Sequence, residues 1–203
     1  MTSKSSRLLF TDNRGQMALL DILKFPDPRL RKKSIEVESV SKEHQGFIDA
    51  MLETMYSFNG IGLAAPQVNR LDRIIVIDTR PRDESRYKPE DFTDLESKIE
   101  QPLILINPEI LESEGNITYD EGCLSVPSYF EAVKRFEKIK IKALNKKGEE
   151  IQLETDGLLS ICIQHENDHL DGIVFIDRLS SLKKGFFKKK LLKAKKAELS
   201  AKD

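Results

Sequence analysis

Two of the three histidines in this 203-residue chain stand four residues apart, in "QHENDHLDG" at 164–172, with a glutamate directly after the first. On an α-helix, positions i and i+4 lie above one another on one face. His165 and His169 can therefore ligate one ion, while Glu166, about 100° around the axis, points beside it. A divalent ion held by imidazoles brings the pKa of a bound water to near neutrality. A neighbouring carboxylate can take that proton and later deliver it to a leaving group. His-Glu-x-x-His is thus the layout of metal-assisted hydrolysis.

The bland alternative is a chance pattern on a surface helix. Against it, Leu158, Cys162, His165 and His169 fall at offsets of 0, 4, 7 and 11, the stripe that faces a core. Two unliganded core imidazoles would each need hydrogen-bond partners at a desolvation cost. One metal satisfies both.

Two imidazoles leave a catalytic site short of its usual three protein ligands. His44 sits in a polar helix start and reads as a solvated residue. The better candidate is Cys123 in "YDEGCLSVP" (119–127), where turn and strand residues could present a thiolate rigidly. A lone cysteine is more often a small buried hydrophobe than a ligand, and Cys162 reads as that bland kind, lining a pocket wall.

These residues must be positioned by something. Ser41 is a plausible N-cap for a helix to about Phe58, with Ile48, Met51, Leu52 and Met55 as its apolar stripe and Asn59-Gly60 as its stop. "RIIVID" reads as a buried strand. Residues 80–102 are charge-rich and read as an exposed excursion with little core of its own. "LILINPEI" resumes the strand signal, though Pro108 argues against an uninterrupted central strand. In "EKIKIKALNKKGEEIQLET", Ile139, Ile141 and Ala143 alternate with lysines, and Asn145 to Gly148 closes a hairpin into Ile151 and Leu153. The metal-binding helix covers Gly157 to about Leu170. The fold class expected is α+β: short antiparallel strands wrapped around a central metal-binding helix, with a further C-terminal helix.

Length and composition suit one compact domain, 39% apolar and 33% charged. No run approaches the roughly 18 apolar residues that cross a bilayer, so no membrane span is expected. Two cysteines are too few for a disulfide framework and suit a reducing compartment. Residues 1–16 read as a polar, poorly ordered tail or an upstream start, 17–180 as one catalytic domain, and 181–203 as a lysine-rich helix. Residues 183–196 carry eight lysines and no acid; set against a net charge of −1, they leave the remainder at −9. Such a tail either packs its apolar side on the body or meets an anionic partner.

Three blocks stand in one order: "GIGLAAPQV" (60–68), "EGCLSVP" (121–127) and "QHENDHLDG" (164–172). Together they resemble the signature motifs of the peptide deformylase family, from about Met17 to Leu179. The resemblance implies a hydrolase that removes the N-formyl group from the formyl-methionine of nascent polypeptides, by attack of a metal-bound water on the formyl carbonyl. It implies Cys123, His165 and His169 as metal ligands and Glu166 as general acid/base. Gln67 and the backbone N–H of Leu124 become donors to the formyl oxygen. Ile61, Gly62 and Gly122 become strand-like edges for the peptide, and Ile61, Leu158, Ile161 and Cys162 a pocket for the methionine side chain. Glu121 and Arg135 match a scaffold pair, and Phe130 a variable position near the pocket mouth.

The same resemblance implies one divalent metal ion per chain, Fe²⁺ in cells with Zn²⁺ or Ni²⁺ in purified protein, and a cytoplasmic place in a bacterium ahead of an organelle. Because such substrates leave the ribosome, it suggests ribosomal RNA as the tail's partner. Two rival functions stay open on sequence: a metallopeptidase built on the same helix, and a silent metal-stabilised protein that docks on ribosomes.

Overall fold

A computed structural model describes residues 19–82 and 92–200 of the chain. Residues 1–16, read above as a tail, lie outside them. The elements run α1 (Lys42–Ser57), β1 (Gly62–Ala64), β2 (Ile74–Ile77), β3 (Leu103–Glu114), β4 (Ile117–Cys123), β5 (Val126–Arg135), β6 (Lys138–Leu144), β7 (Glu150–Thr155), α2 (Gly157–Leu170) and α3 (Ser181–Ser200). Strands β1-β2-β3-β6-β7 form one antiparallel sheet in that order, and β4-β5 form a separate two-stranded sheet. The class is α+β, as expected.

Why β2 has no polar face follows from its surroundings. Ile75 and Ile77 point to α2 and meet Leu159, Cys162 and Ile163, whereas Ile74 and Val76 point to α1 and meet Phe47, Ile48 and Met51. With both faces covered, all four residues are buried. Each such aliphatic side chain contributes about 1.5–3 kcal/mol of burial free energy. The sheet is thus the middle layer between two helices.

Helix α1 begins where Ser41 caps it: Ser41 Oγ accepts from His44 N at 3.3 Å, and His44 Nδ1 accepts from Ser41 N at 3.0 Å. His44 is therefore occupied at a helix start. The helix stops at Phe58, and Asn59 takes the left-handed conformation (φ 54°).

In β3, Asn107 (φ 52°) and Pro108 coincide with a register shift between Ile106 and Glu109. The proline thus sits at a bulge, where its missing N–H breaks no ladder, and the strand continues in the middle of the sheet. The outward lysines of β6 lie opposite glutamates of β3, Lys140 facing Glu112 at 3.1 Å and Lys142 facing Glu109 at 3.3 Å. These exposed pairs add little stability.

Helix α2 has no solvent face. Leu159, Ile163 and Leu170 pack on the sheet, Leu158, Ile161 and His165 look into a cavity, and Cys162 touches both. The expected single stripe is one of two buried sides. Helix α3 turns Phe187 and Leu191 onto a third cluster with Phe25, Val126, Tyr129 and Phe175, so the lysine-rich helix packs its apolar side on the body. No helix of the described residues is long and apolar enough to cross a membrane.

Candidate metal centre and active site

Cys123 ends β4, just before the two-residue turn Leu124–Ser125 that leads into β5. His165 and His169 come from consecutive turns of α2. One ligand atom from each of the three lies within 4.8 Å of the others, the only such group among the described residues. Cys123 Sγ stands 3.2 Å from His169 Nε2. Ligand atoms around a tetrahedral zinc stand roughly 3.3–3.6 Å apart, from ordinary bond lengths, so the spacing suits an ion. A thiol with two imidazoles suits Zn²⁺, Fe²⁺ or Ni²⁺.

The imidazoles are prepared differently. Glu121 Oε2 meets His165 Nδ1 at 2.7 Å, leaving Nε2 to the thiol, an arrangement typical of a ligand imidazole backed by a carboxylate. Arg135 anchors that carboxylate from Nε (2.6 Å) and a terminal nitrogen (2.9 Å), and its other terminal nitrogen reaches Asp168 at 2.6 Å. Burial opposes the charge on Glu121, but the bonds from Arg135 and His165 outweigh it and bring its pKa down to about 2. His165 is raised well above the usual imidazole value: burial opposes the charge, but hydrogen bonds to Cys123 and Glu121 prevail. His169 is held well below that value by burial and by the charges of His165 and Arg135, so its lone pair is available. Its Nδ1 is buried with no partner among the described residues.

Glu166 lies beside this group. Its Oε2 is buried with no partner among the described residues, and burial raises its pKa to about 7, with the charges of Glu121 and Asp168 adding and His165 and Arg135 opposing. Room for it depends on Gly62: a Cβ there would stand 2.4 Å from Glu166 Oε1 and 2.8 Å from Cys162 Sγ.

Gln67 stands in a 3-10 turn, Ala65–Val68. Its Oε1 accepts from Ala64 N at 2.8 Å, which turns Nε2 toward Cys123 Sγ (3.4 Å) and Ser125 Oγ (3.1 Å). The amide therefore presents its donor side to the sulfur.

A cavity of about 460 Å³ joins these groups. Of the residues singled out in sequence, Ile61, Gly62, Gln67, Gly122, Cys123, Leu124, Leu158, Ile161, Cys162, His165 and Glu166 line it; His169 lies just behind, 1% exposed. Cys162 stays outside the ligand group, with its Sγ 3.6 Å from Ile61 O. Phe130 covers Gly122 at the mouth, where a Cβ would meet its ring at 2.4 Å. Lys24 was not foreseen. Its Nζ donates to Leu124 O at 2.6 Å and lies 5.8 Å from the Phe58 ring centroid, at the rim of the cavity. No local pattern connects residues 100 apart. Ser125 lies within the "EGCLSVP" block, and its contact with Gln67 was likewise unforeseen.

A thiol and two imidazoles fixed around one point, with the carboxylate-bearing Glu166 lining the same cavity, belong to the class of metal-dependent hydrolases. The sequence profile of the polypeptide deformylase family matches residues 19–185. A peptide deformylase of Neisseria gonorrhoeae is 49% identical over 181 residues, covering 89% of this chain and 98% of its own. One from Thermodesulfovibrio yellowstonii is 47% identical over 174 residues, covering 86% and 97%. The crystal structure of peptide deformylase from Ehrlichia chaffeensis superposes with a TM-score of 0.77 at 37% identity, over 90% of this chain and 99% of that one. The chain belongs to the peptide deformylase family, metal-dependent hydrolases that remove N-formyl groups from nascent peptides.

Proposed function

We propose that Cys123, His165 and His169 hold one divalent cation and that Glu166 is the proton shuttle for formyl hydrolysis. When bound, such an ion supplies a Lewis acid that acidifies water and polarises a carbonyl. The protein does the rest. Glu166 accepts a proton through its Oε2, which has no partner among the described residues, and returns it to the departing amine. Gln67 Nε2, aimed by Ala64, and the N–H of Leu124 donate to the formyl oxygen as negative charge develops there. The backbones of Ile61, Gly62 and Gly122 pair with the extended peptide. Its methionine side chain enters between Ile61, Leu158, Ile161 and Cys162.

One observation carries this reading: Glu166, whose Oε2 is buried with no partner among the described residues, lines the same cavity as Cys123 and His165. Glu166→Ala tests it. Metal content should be retained while formate release from formyl-Met-Ala-Ser falls about 10²–10⁴-fold. Retained metal with undiminished release would remove Glu166 from the role. Equal turnover of acetyl-Met-Ala-Ser would favour a general metallopeptidase over a deformylase.

The ion is Fe²⁺ in cells, with Zn²⁺ or Ni²⁺ replacing it during purification; anaerobic isolation with elemental analysis tests this. The working place of the protein is the bacterial cytoplasm, where nascent formylated chains arise. Residues 17–180 act as the catalytic domain. Helix α3 meets ribosomal RNA through Lys188, Lys189 and Lys193, which are exposed while Phe187 faces inward. Replacing these three lysines by glutamate should weaken ribosome co-sedimentation at low salt and flatten its salt dependence. Unchanged co-sedimentation removes the ribosomal role.

A further inference from the structure

Segment 80–102 looks in sequence like an exposed excursion, yet Glu96 is wholly buried. It opens a 3-10 turn, Glu96–Lys98. Its Oε1 accepts from Leu159 N at 2.8 Å, and its Oε2 accepts from Leu158 N at 3.1 Å. Thr79 Oγ1 lies 3.0 Å from Oε1. Leu158 and Leu159 belong to the first turn of α2, where backbone N–H groups have no partner within the helix.

The residue placed to cap them locally does not. Asp156 is the N-cap, but its side chain makes no capping hydrogen bond; it accepts instead from Thr93 Oγ1. Gly157 has φ 59°, and a Cβ on it would stand 2.5 Å from Glu96 Oε2 and 3.1 Å from Thr93 Cγ2. Glycine thus leaves the backbone bare for a carboxylate arriving from another segment. At a helix N-terminus a negative charge is also favoured by the dipole. Burial nevertheless raises the Glu96 pKa, aided by Asp156 and opposed by the bonds from Thr79, Leu159 and Leu158.

Glu96 does not line the cavity, but Leu158 does, and so does Ile161 one turn further on. The N–H that Glu96 holds belongs to the residue whose side chain forms the wall. We infer that Glu96 is a positioning residue: by capping α2 from a distant segment, it sets where Leu158 and Ile161 stand and so the depth of the pocket. This rests on the assignment of that wall to the substrate's methionine side chain.

The test compares Glu96→Gln and Glu96→Ala with the wild type on formyl-Met-Ala-Ser and formyl-Ala-Ala-Ser, alongside metal content and melting temperature. In the variants, KM for the methionyl peptide should rise about tenfold with kcat changed less than about threefold. The preference in kcat/KM for the methionyl over the alanyl peptide should shrink about tenfold. Metal content should stay at the wild-type value. A purely structural role would lower the melting temperature and leave the preference as in the wild type, and that result in folded variants overturns the inference. Should Glu96→Ala not fold, the nearly isosteric Glu96→Gln decides. A wild type without preference for the methionyl peptide overturns the pocket assignment itself, and the inference with it.

Discussion

Gly62 and Glu166 are in such close apposition that a single methyl group on the glycine would lie 2.4 Å from the carboxylate oxygen. The next atom is Cys162 Sγ, at 2.8 Å, on the same helix. Gly62→Ala should therefore push the carboxylate off its position while leaving Cys123, His165 and His169 in place. The expected outcome is a fall in kcat of about 10²-fold with metal content unchanged and stability lower by about 1–3 kcal/mol from overpacking. Formate release and elemental analysis of the same preparation check it.

The two cysteines should separate cleanly. Cys123→Ala removes one of three ligand atoms and should abolish metal retention after dialysis. Cys162→Ala should keep the metal, because Cys162 Sγ contacts Ile61 O outside the ligand group. Metal content of both purified variants is the measurement, and equal loss from both would refute the division.

Arg135 is 4% exposed and bonded to both Glu121 and Asp168. Arg135→Ala takes from buried Glu121 its guanidinium partner, whereas Asp168 keeps Arg178, and breaking a buried pair in this way typically costs about 3–5 kcal/mol. Urea denaturation should show that loss. Affinity for the metal should fall as well, since Glu121 orients His165.

Tyr56 donates to Asp78 Oδ2 at 2.8 Å. Burial first, then Asp78, raises its pKa from 10.0 to about 12. The folded chain thus binds this proton more tightly than the unfolded one. The stability it contributes is complete below pH 10 and is lost as pH rises toward 12. In an ultraviolet titration the wild type should show a tyrosinate step near pH 12 that Tyr56→Phe lacks, with a shallower alkaline loss of stability in the variant.

Much of the architecture can be read from local pattern. Helix α2 announces itself through Asp156-Gly157 at one end and Asp171-Gly172 at the other, and the β6–β7 hairpin through clean alternation. The candidate metal ligands were legible as types, because His-Glu-x-x-His supplies two of them and the spacing is a property of the helix itself. The third, Cys123, stood out as a candidate by its turn-and-strand setting and was assigned by the resemblance, since no sequence rule says which distant thiol approaches α2. The β4–β5 ribbon was harder to see: Ile117, Tyr119 and Glu121 alternate with polar neighbours, and the inward glutamate looks like a solvent residue until Arg135 and His165 are beside it. Glu96 was hidden for a similar reason. A carboxylate in a charged stretch reads as exposed, and its partners Leu158 and Leu159 lie 62 and 63 residues away.

From Leu158 to Leu170, every residue of α2 except Asn167 is buried. An amino-acid scan across this stretch would accordingly find a single permissive column flanked by intolerant ones. Fluorophores, tags or solubilising charges have one place to go, and drift in the gene has as little freedom.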